Sequence, residues 1–151
     1  NNLTVLFVEM VNKAGDCFSQ TFTLSGPGKG NISDQDEAGG LSGKLDFEKV
    51  KGLTPASINV EAIRKQYEEA KAMIPENYTF KSIGDYLIQE TVPSGNEFLD
   101  RNKTFGEVKA EFSMNITENG KEIVESAGKK SVQYYEVTFN VLPDGSVQME
   151  E

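Results

Sequence analysis

The sequence contains no histidine, no tryptophan and only one cysteine. Histidine is the commonest general base near neutral pH and the commonest metal ligand in proteins. Its absence excludes Ser-His-Asp and Cys-His catalysis, and it excludes zinc sites built from cysteine and histidine. The single cysteine, Cys17, excludes a disulfide within the chain. We therefore expect a protein that is not an enzyme and that needs no cofactor.

Positive charge and long apolar runs are also scarce. The chain has 15 Lys and Arg residues against 24 Asp and Glu residues, which gives a net charge of −9 and an isoelectric point near 4.6. This negative charge argues against nucleic acid and against an anionic membrane surface as partners. No apolar stretch approaches the roughly 20 residues that a membrane-spanning helix needs. The sequence thus predicts neither nucleic-acid binding nor membrane insertion.

Length and composition define the expected domain organisation. Residues 1–151 fit a single domain with a buried core. Residues 25–53 are rich in glycine and charged residues, which predicts a mobile loop or an insertion. The chain begins inside a predicted strand, Leu3 to Val8, so we expect that upstream residues were processed or trimmed away.

Alternation of apolar and polar residues predicts that strands dominate the fold. Residues 3–24 read as a β-hairpin. Asn119-Gly120 predicts a second hairpin turn, with its return strand beginning at residue 123. Further strands are predicted at residues 78–80, 84–92, 108–117, 132–142 and 147–149. Most of these strands have one apolar and one polar face, which favours antiparallel sheets with one wet side.

One helix is predicted, at about residues 54–74. Thr54-Pro55 fits an N-cap followed by proline at the first helical position, and Pro75 ends the pattern. The most economical fold is therefore mainly β, an antiparallel sandwich of the Ig-like or prealbumin-like kind with one inserted helix. The alternative is an α+β fold in which the helix packs on a curved antiparallel sheet.

Two other local patterns are weak signals. Asp34 and Asp36 resemble the start of a calcium-binding loop, but Ala38 and Leu45 stand where an EF-hand needs ligands, so we expect no metal site. Asn-x-Ser/Thr triplets occur more often than the about 1.5 expected from composition. They would carry glycans in a secreted eukaryotic protein, whereas in a bacterial protein they only reflect Asn/Thr-rich surface strands, which we favour. The triplets begin at Asn2, Asn31, Asn77, Asn102 and Asn115.

The most informative run is residues 84–95, which read Gly-Asp-Tyr-Leu-Ile-Gln-Glu-Thr-Val-Pro-Ser-Gly. A Gly-x-Tyr-x-x-x-Glu-Thr strand followed by a Pro-x-Gly turn resembles the penultimate-strand signature of Cna B-type and related pilin domains. These are β-sandwich modules of Gram-positive surface adhesins and pilins. The resemblance implies an extracellular or cell-envelope location and a role in structure or adhesion.

Members of that family often carry an internal isopeptide bond between a lysine in the first strand and an asparagine or aspartate near the last strand, formed with the help of a buried carboxylic acid. By resemblance, Glu90 matches the acid and Asn140 the acceptor. Residues 1–12 contain no lysine, and Lys13 falls in the predicted turn. Because the activated amine has no candidate, we expect no crosslink in this chain.

The leading functional hypothesis is a non-enzymatic extracellular or cell-surface module, a pilin, adhesin or stalk element, with a protein or glycan partner. The alternative is a small secreted ligand-binding domain of the cystatin-like or nuclear-transport-factor-like kind, with Ile63, Tyr67 and Ile74 lining a pocket between helix and sheet. A hydrolase or isomerase would have to rely on carboxylates alone. Glu90, Asp85 and Asp100 are available, but the sequence indicates no pairing among them.

Overall fold

A computed structural model describes residues 4–24, 30–37, 45–94 and 96–150. Of these residues, 46% are in strands and 18% in helices, so the chain is mainly β. The strand pairs are antiparallel. The predicted class, mainly β with antiparallel sheets and one inserted helix, is confirmed.

The chain divides into two compact units, and each unit is built from two separate segments of the sequence. Unit 1 comprises residues 1–52 and 90–107, and unit 2 comprises residues 53–89 and 108–151. The described helices are too short or too polar to cross a lipid bilayer.

Unit 1 contains an antiparallel sheet that begins with the predicted hairpin. β1 (Val5–Val11) pairs with β2 (Cys17–Leu24), which confirms the hairpin at residues 3–24. The connecting turn is closed by Asn12, whose side-chain oxygen accepts hydrogen bonds from the backbone N–H groups of Ala14 (2.8 Å) and Asp16 (3.0 Å). Such side-chain to backbone bonds fix tight turns.

The region that the sequence predicted as a loop, residues 25–53, contains regular structure where it is described. β3 (Gly30–Ile32) and β4 (Asp36–Glu37) both pair with β2. A short 3₁₀ turn follows at Phe47–Lys49. Residues 25–29 and 38–44 of this prediction lie outside the described residues. Unit 1 also contains the one-turn helix α2 (Glu97–Asp100).

Unit 2 contains the second sheet. Its strands are β5 (Tyr78–Glu90), β6 (Val108–Glu118), β9 (Tyr135–Val141) and β10 (Val147–Met149), in the order β10-β9-β6-β5. The sequence predicted two segments where β5 runs as one strand. Its core-facing side chains Phe80, Ile83 and Tyr86 recur every third residue. This spacing departs from strict alternation, as strands with bulges do. A search for alternating apolar and polar residues therefore does not recognise β5 as one continuous strand.

The helix α1 (Val60–Met73) begins later than predicted. Its N-cap is Asn59, whose side-chain oxygen accepts a hydrogen bond from Ala62 N at 3.1 Å. Thr54 and Pro55 instead open a separate 3₁₀ turn at Pro55–Ser57. Proline fits the first turn of either helix type, so this signal alone cannot place the start of α1.

One face of the second sheet is covered by α1. The ring of Tyr67 lies 4.7 Å from that of Phe112, measured between centroids, in an edge-to-face contact. Phe112 stacks on Phe139 at 5.3 Å, and both rings are buried. Unit 2 is thus a helix packed on a four-stranded antiparallel sheet, which is the local arrangement that the alternative α+β prediction describes.

The predicted return strand after Asn119-Gly120 does not pair with β6. β7 (Ile123–Ser126) pairs with β8 (Lys129–Val132), and β6 pairs with β9. Consecutive positive φ values at Ala127 (51°) and Gly128 (74°) make the tight turn between β7 and β8. The turn at Asn119-Gly120 is confirmed by consecutive positive φ values of 50° and 71°. The predicted pairing of the return strand was wrong, because two turns lie close together and local sequence does not say which one closes the long hairpin.

Candidate functional site

Glu90 lies at the end of β5, and its side-chain carboxylate binds backbone N–H groups of a distant segment. Its two carboxylate oxygens accept hydrogen bonds from Lys51 N (2.8 Å) and Gly52 N (2.7 Å). The Lys51 side chain in turn donates to the backbone oxygen of Gly106 at 3.3 Å. All four residues belong to unit 1. The carboxylate therefore holds a distant stretch of chain in place.

Asn140, the acceptor implied by the family resemblance, lies on β9 in unit 2. It stands opposite Glu111 of β6 and Gln148 of β10. Glu90 belongs to unit 1. Neither unit by itself brings the acid and the acceptor together.

The other candidate carboxylates also have separate partners. Asp85 accepts a hydrogen bond from the Ser113 hydroxyl in unit 2. Asp100 accepts hydrogen bonds from Ser94 N and from Ser94 Oγ at 2.8 Å in unit 1. Desolvation alone would raise the pKa of Asp100, but the Ser94 hydrogen bonds and the nearby Lys103 ammonium lower it below the ordinary value. Each carboxylate thus has a local structural partner.

The residues predicted to line a pocket between helix and sheet lie in the core. Tyr67 is only 7% exposed, and Ile63 and Ile74 pack against the same buried cluster. The Tyr67 hydroxyl donates to the backbone oxygen of Asp85 at 3.2 Å. These side chains fill the space between α1 and the sheet.

A polar cleft of about 150 Å³ lies in unit 2. Its charged lining residues are Asp85, Glu111 and Glu136. Because side chains alternate along a strand, Glu111 and Ser113 face away from the Phe112 side that α1 covers.

Asp34 and Asp36, the weak calcium candidates, are exposed in unit 1. Within the described ranges no group of three or more acidic or cysteine side chains is arranged to hold a metal ion.

Unit 1 also contains a cluster of exposed apolar side chains. Phe22 on β2 stands opposite Leu6 on β1 and opposite Ile32 on β3, so the three side chains share one face. Leu24, two residues beyond Phe22, shares that face too. Leu6, Leu24 and Ile32 are exposed, and Phe22 is half-buried between them. We call these four residues the apolar patch.

Sequence reasoning placed Phe22 and Leu24 on a strand but did not identify this surface. The available signal was the even spacing of apolar residues among serines and threonines, which marks one apolar face of a strand. That pattern cannot say whether the face is covered, because coverage depends on distant parts of the chain.

Comparison with known proteins found no matching family model, no matching curated protein and no matching solved structure. The resemblance to Cna B-type domains therefore stays a prediction based on residues 84–95, and functional inference depends on the geometry of the two units.

Proposed function

We propose that the chain is a non-enzymatic extracellular or cell-surface module that binds a partner protein, as a pilin, adhesin or stalk element does. The observation that carries this proposal is the apolar patch of unit 1, where Ile32 is 61% exposed and Leu24 is 53% exposed. Contiguous apolar surface of this kind marks interaction sites on proteins.

The surroundings of the apolar patch favour a partner with basic residues. Like β3, the short strand β4 pairs with β2, and its residues Asp36 and Glu37 are exposed. Asp34, which precedes β4, is exposed as well. The whole chain carries a net charge of −9. Complementary charge speeds encounter and orients a partner at an apolar contact.

A protein partner fits the apolar patch better than a glycan. The exposed members Leu6, Leu24 and Ile32 are aliphatic and offer no hydrogen-bonding group to sugar hydroxyls. Burial of aliphatic side chains instead contributes to protein association through the hydrophobic effect. The alternative function, a ligand pocket between helix and sheet, is less favoured because Tyr67 and Phe112 occupy that space.

The proposal is tested by measuring adhesion of the wild-type chain to an array of immobilised extracellular-matrix proteins and glycans. We expect binding to at least one protein spot, and Ile32→Lys should abolish it, since a lysine there places a charge within the apolar contact. Ile123→Lys is the matched control, because Ile123 is 62% exposed on β7 of unit 2. Binding that Ile32→Lys leaves unchanged, or binding to glycan spots alone, would overturn the proposal.

A further inference from the structure

β1 forms one edge of the sheet in unit 1. The order of strands is β1-β2-β3, and in the described part of the chain no strand pairs with the other side of β1. An edge strand presents a row of backbone N–H and C=O groups that another extended chain can pair with.

The hydrogen-bond pattern shows which residues of β1 present those groups. At one end of the hairpin Leu24 N donates to Thr4 O (2.7 Å), and at the other end Asn12 N donates to Asp16 O (3.0 Å). In an antiparallel pair, alternate residues direct their backbone groups at the partner strand. The even-numbered residues of β1 therefore bond to β2, and the odd-numbered residues direct their N–H and C=O groups to the open edge. These outward-facing residues are Val5, Phe7, Glu9 and Val11.

Within its described residues β1 has few of the devices that keep sheet edges from pairing. Proteins block edges with lysine, proline, bulges or inward charges. β1 reads Val-Leu-Phe-Val-Glu-Met-Val, and its register with β2 runs without interruption from Val5 to Val11. Glu9 is its only charged residue. Phe7 is 58% exposed, and its neighbours Val5 and Leu6 are exposed as well. Apolar side chains are thus available on both faces of the edge.

We propose that the open edge of β1 receives an extended strand of a partner protein, paired through the backbone groups of the outward-facing residues. The incoming strand would carry apolar residues against Phe7 and a lysine or arginine opposite Glu9, because opposite charges across a strand pair attract. This inference rests on the proposed function and names the partner's form. β1 lies beside the apolar patch, since Leu6 belongs both to β1 and to the patch.

A second copy of this chain fits the edge poorly. Antiparallel self-pairing through the outward-facing residues places Glu9 opposite Val5, Phe7, Val11 or the other copy's Glu9, according to register. Each of these pairings sets a carboxylate against an apolar side chain or a like charge. It also brings together two chains of charge −9. A basic strand from another protein avoids both costs.

The test uses a synthetic nine-residue peptide in which valine and threonine alternate, with valine at both ends and lysine in place of the central valine, so that valine faces Phe7 when the lysine faces Glu9. Backbone amide resonances of the whole chain are followed by NMR during titration. We expect saturable shifts at the outward-facing residues of β1. Phe7→Pro should weaken binding roughly tenfold or more, because proline removes an outward N–H without removing a bond to β2. Phe7→Val keeps the N–H and is the matched control.

A second variant keeps the inference testable if Phe7→Pro does not fold. The Glu9→Lys variant should no longer bind the peptide with lysine at its centre. It should instead bind a peptide in which glutamate replaces that lysine. A peptide with N-methylated backbone amides should not bind to any form of the chain. Absence of binding, or binding that survives N-methylation or Phe7→Pro, would overturn the inference.

Dimerisation is the remaining outcome. If sedimentation shows a wild-type dimer that Phe7→Pro converts to monomer, β1 pairs with a second copy and the assignment to another protein is wrong. Failure of the strand inference is distinguishable from failure of the proposed function. Adhesion is tested by the Ile32→Lys substitution in β3, whereas strand pairing is tested by substitutions in β1.

Discussion

Tyr67 shows how a single side chain combines packing with polar constraint in unit 2. Its ring contacts Phe112 and lies 6.0 Å from the ring of Tyr86, while its hydroxyl donates to Asp85 O. The Tyr86 hydroxyl donates to Gln66 Oε1 at 2.7 Å. Buried aromatic hydroxyls need such partners, since an unpaired polar group in the core is costly. Burial, with smaller contributions from Tyr86 and Asp85, raises the pKa of Tyr67 from 10.0 to about 12.

The raised pKa predicts a loss of stability at alkaline pH. Because the folded chain holds the Tyr67 proton more tightly than the unfolded chain, its contribution is complete below pH 10 and is lost as pH rises towards 12. Urea unfolding across this range should show the free energy of unfolding falling with pH. Tyr67→Phe should make the fall less steep, and Tyr134→Phe, which removes an exposed hydroxyl, is the control. An equally steep fall in Tyr67→Phe would contradict the prediction.

At the scale of the elements, β5 and β6 meet at an unusually close point. A Cβ added to Gly84 would overlap the hydroxyl oxygen of Ser113. That hydroxyl is held in place, because it accepts a hydrogen bond from Asp85 N at 3.2 Å and donates to the Asp85 carboxylate. Gly84 was singled out by its family resemblance, but this close approach to β6 is a physical reason for glycine there.

Gly84→Ala is therefore expected to destabilise unit 2. Moving Ser113 away would break its bonds to Asp85, so the cost should be about 1–3 kcal/mol, as for other overpacked sites. Chemical denaturation monitored by tyrosine fluorescence measures this loss. Ser113→Ala in the same chain should recover part of it, because the overlapping oxygen is gone. Additive effects of the two substitutions would show that the contact does not carry the strain.

Across the whole molecule, the two units differ in how much apolar surface they bury. The buried hydrophobic side chains found among the described residues all lie in unit 2, and they are Tyr67, Ala70, Phe112, Met114, Ile116, Phe139 and Val147. In the described part of unit 1, Pro93 and Gly15 are buried but no large hydrophobic side chain is. Local stability follows buried apolar contact.

Amide hydrogen exchange should reflect this difference. We expect the slowest exchange in β6 and β9, where Phe112 and Phe139 are buried, and faster exchange in β1 and β2 of unit 1. Mass spectrometry of peptic fragments resolves the two groups of strands. Equal protection in β2 and β6 would show that unit 1 is stabilised by contacts other than a core of its own. Protection of β1 that rises when the strand peptide is added would support strand pairing at its edge.

The sequence by itself determined the strand-rich class, the hairpin of β1 and β2 and the position of the last strand, β10. Alternation and turn residues act on neighbours in the chain, so they can be read locally. It also determined the missing chemistry, because a side chain that is absent cannot contribute to any site.

Tertiary structure decided the rest. Glu90 anchors backbone groups 38 and 39 residues away, and β6 pairs with β9 across an intervening hairpin. Whether an apolar face is core or surface depends on what covers it, so Tyr67 became core while Ile32 became part of an exposed patch. Such outcomes depend on contacts between distant segments, which local periodicity does not encode.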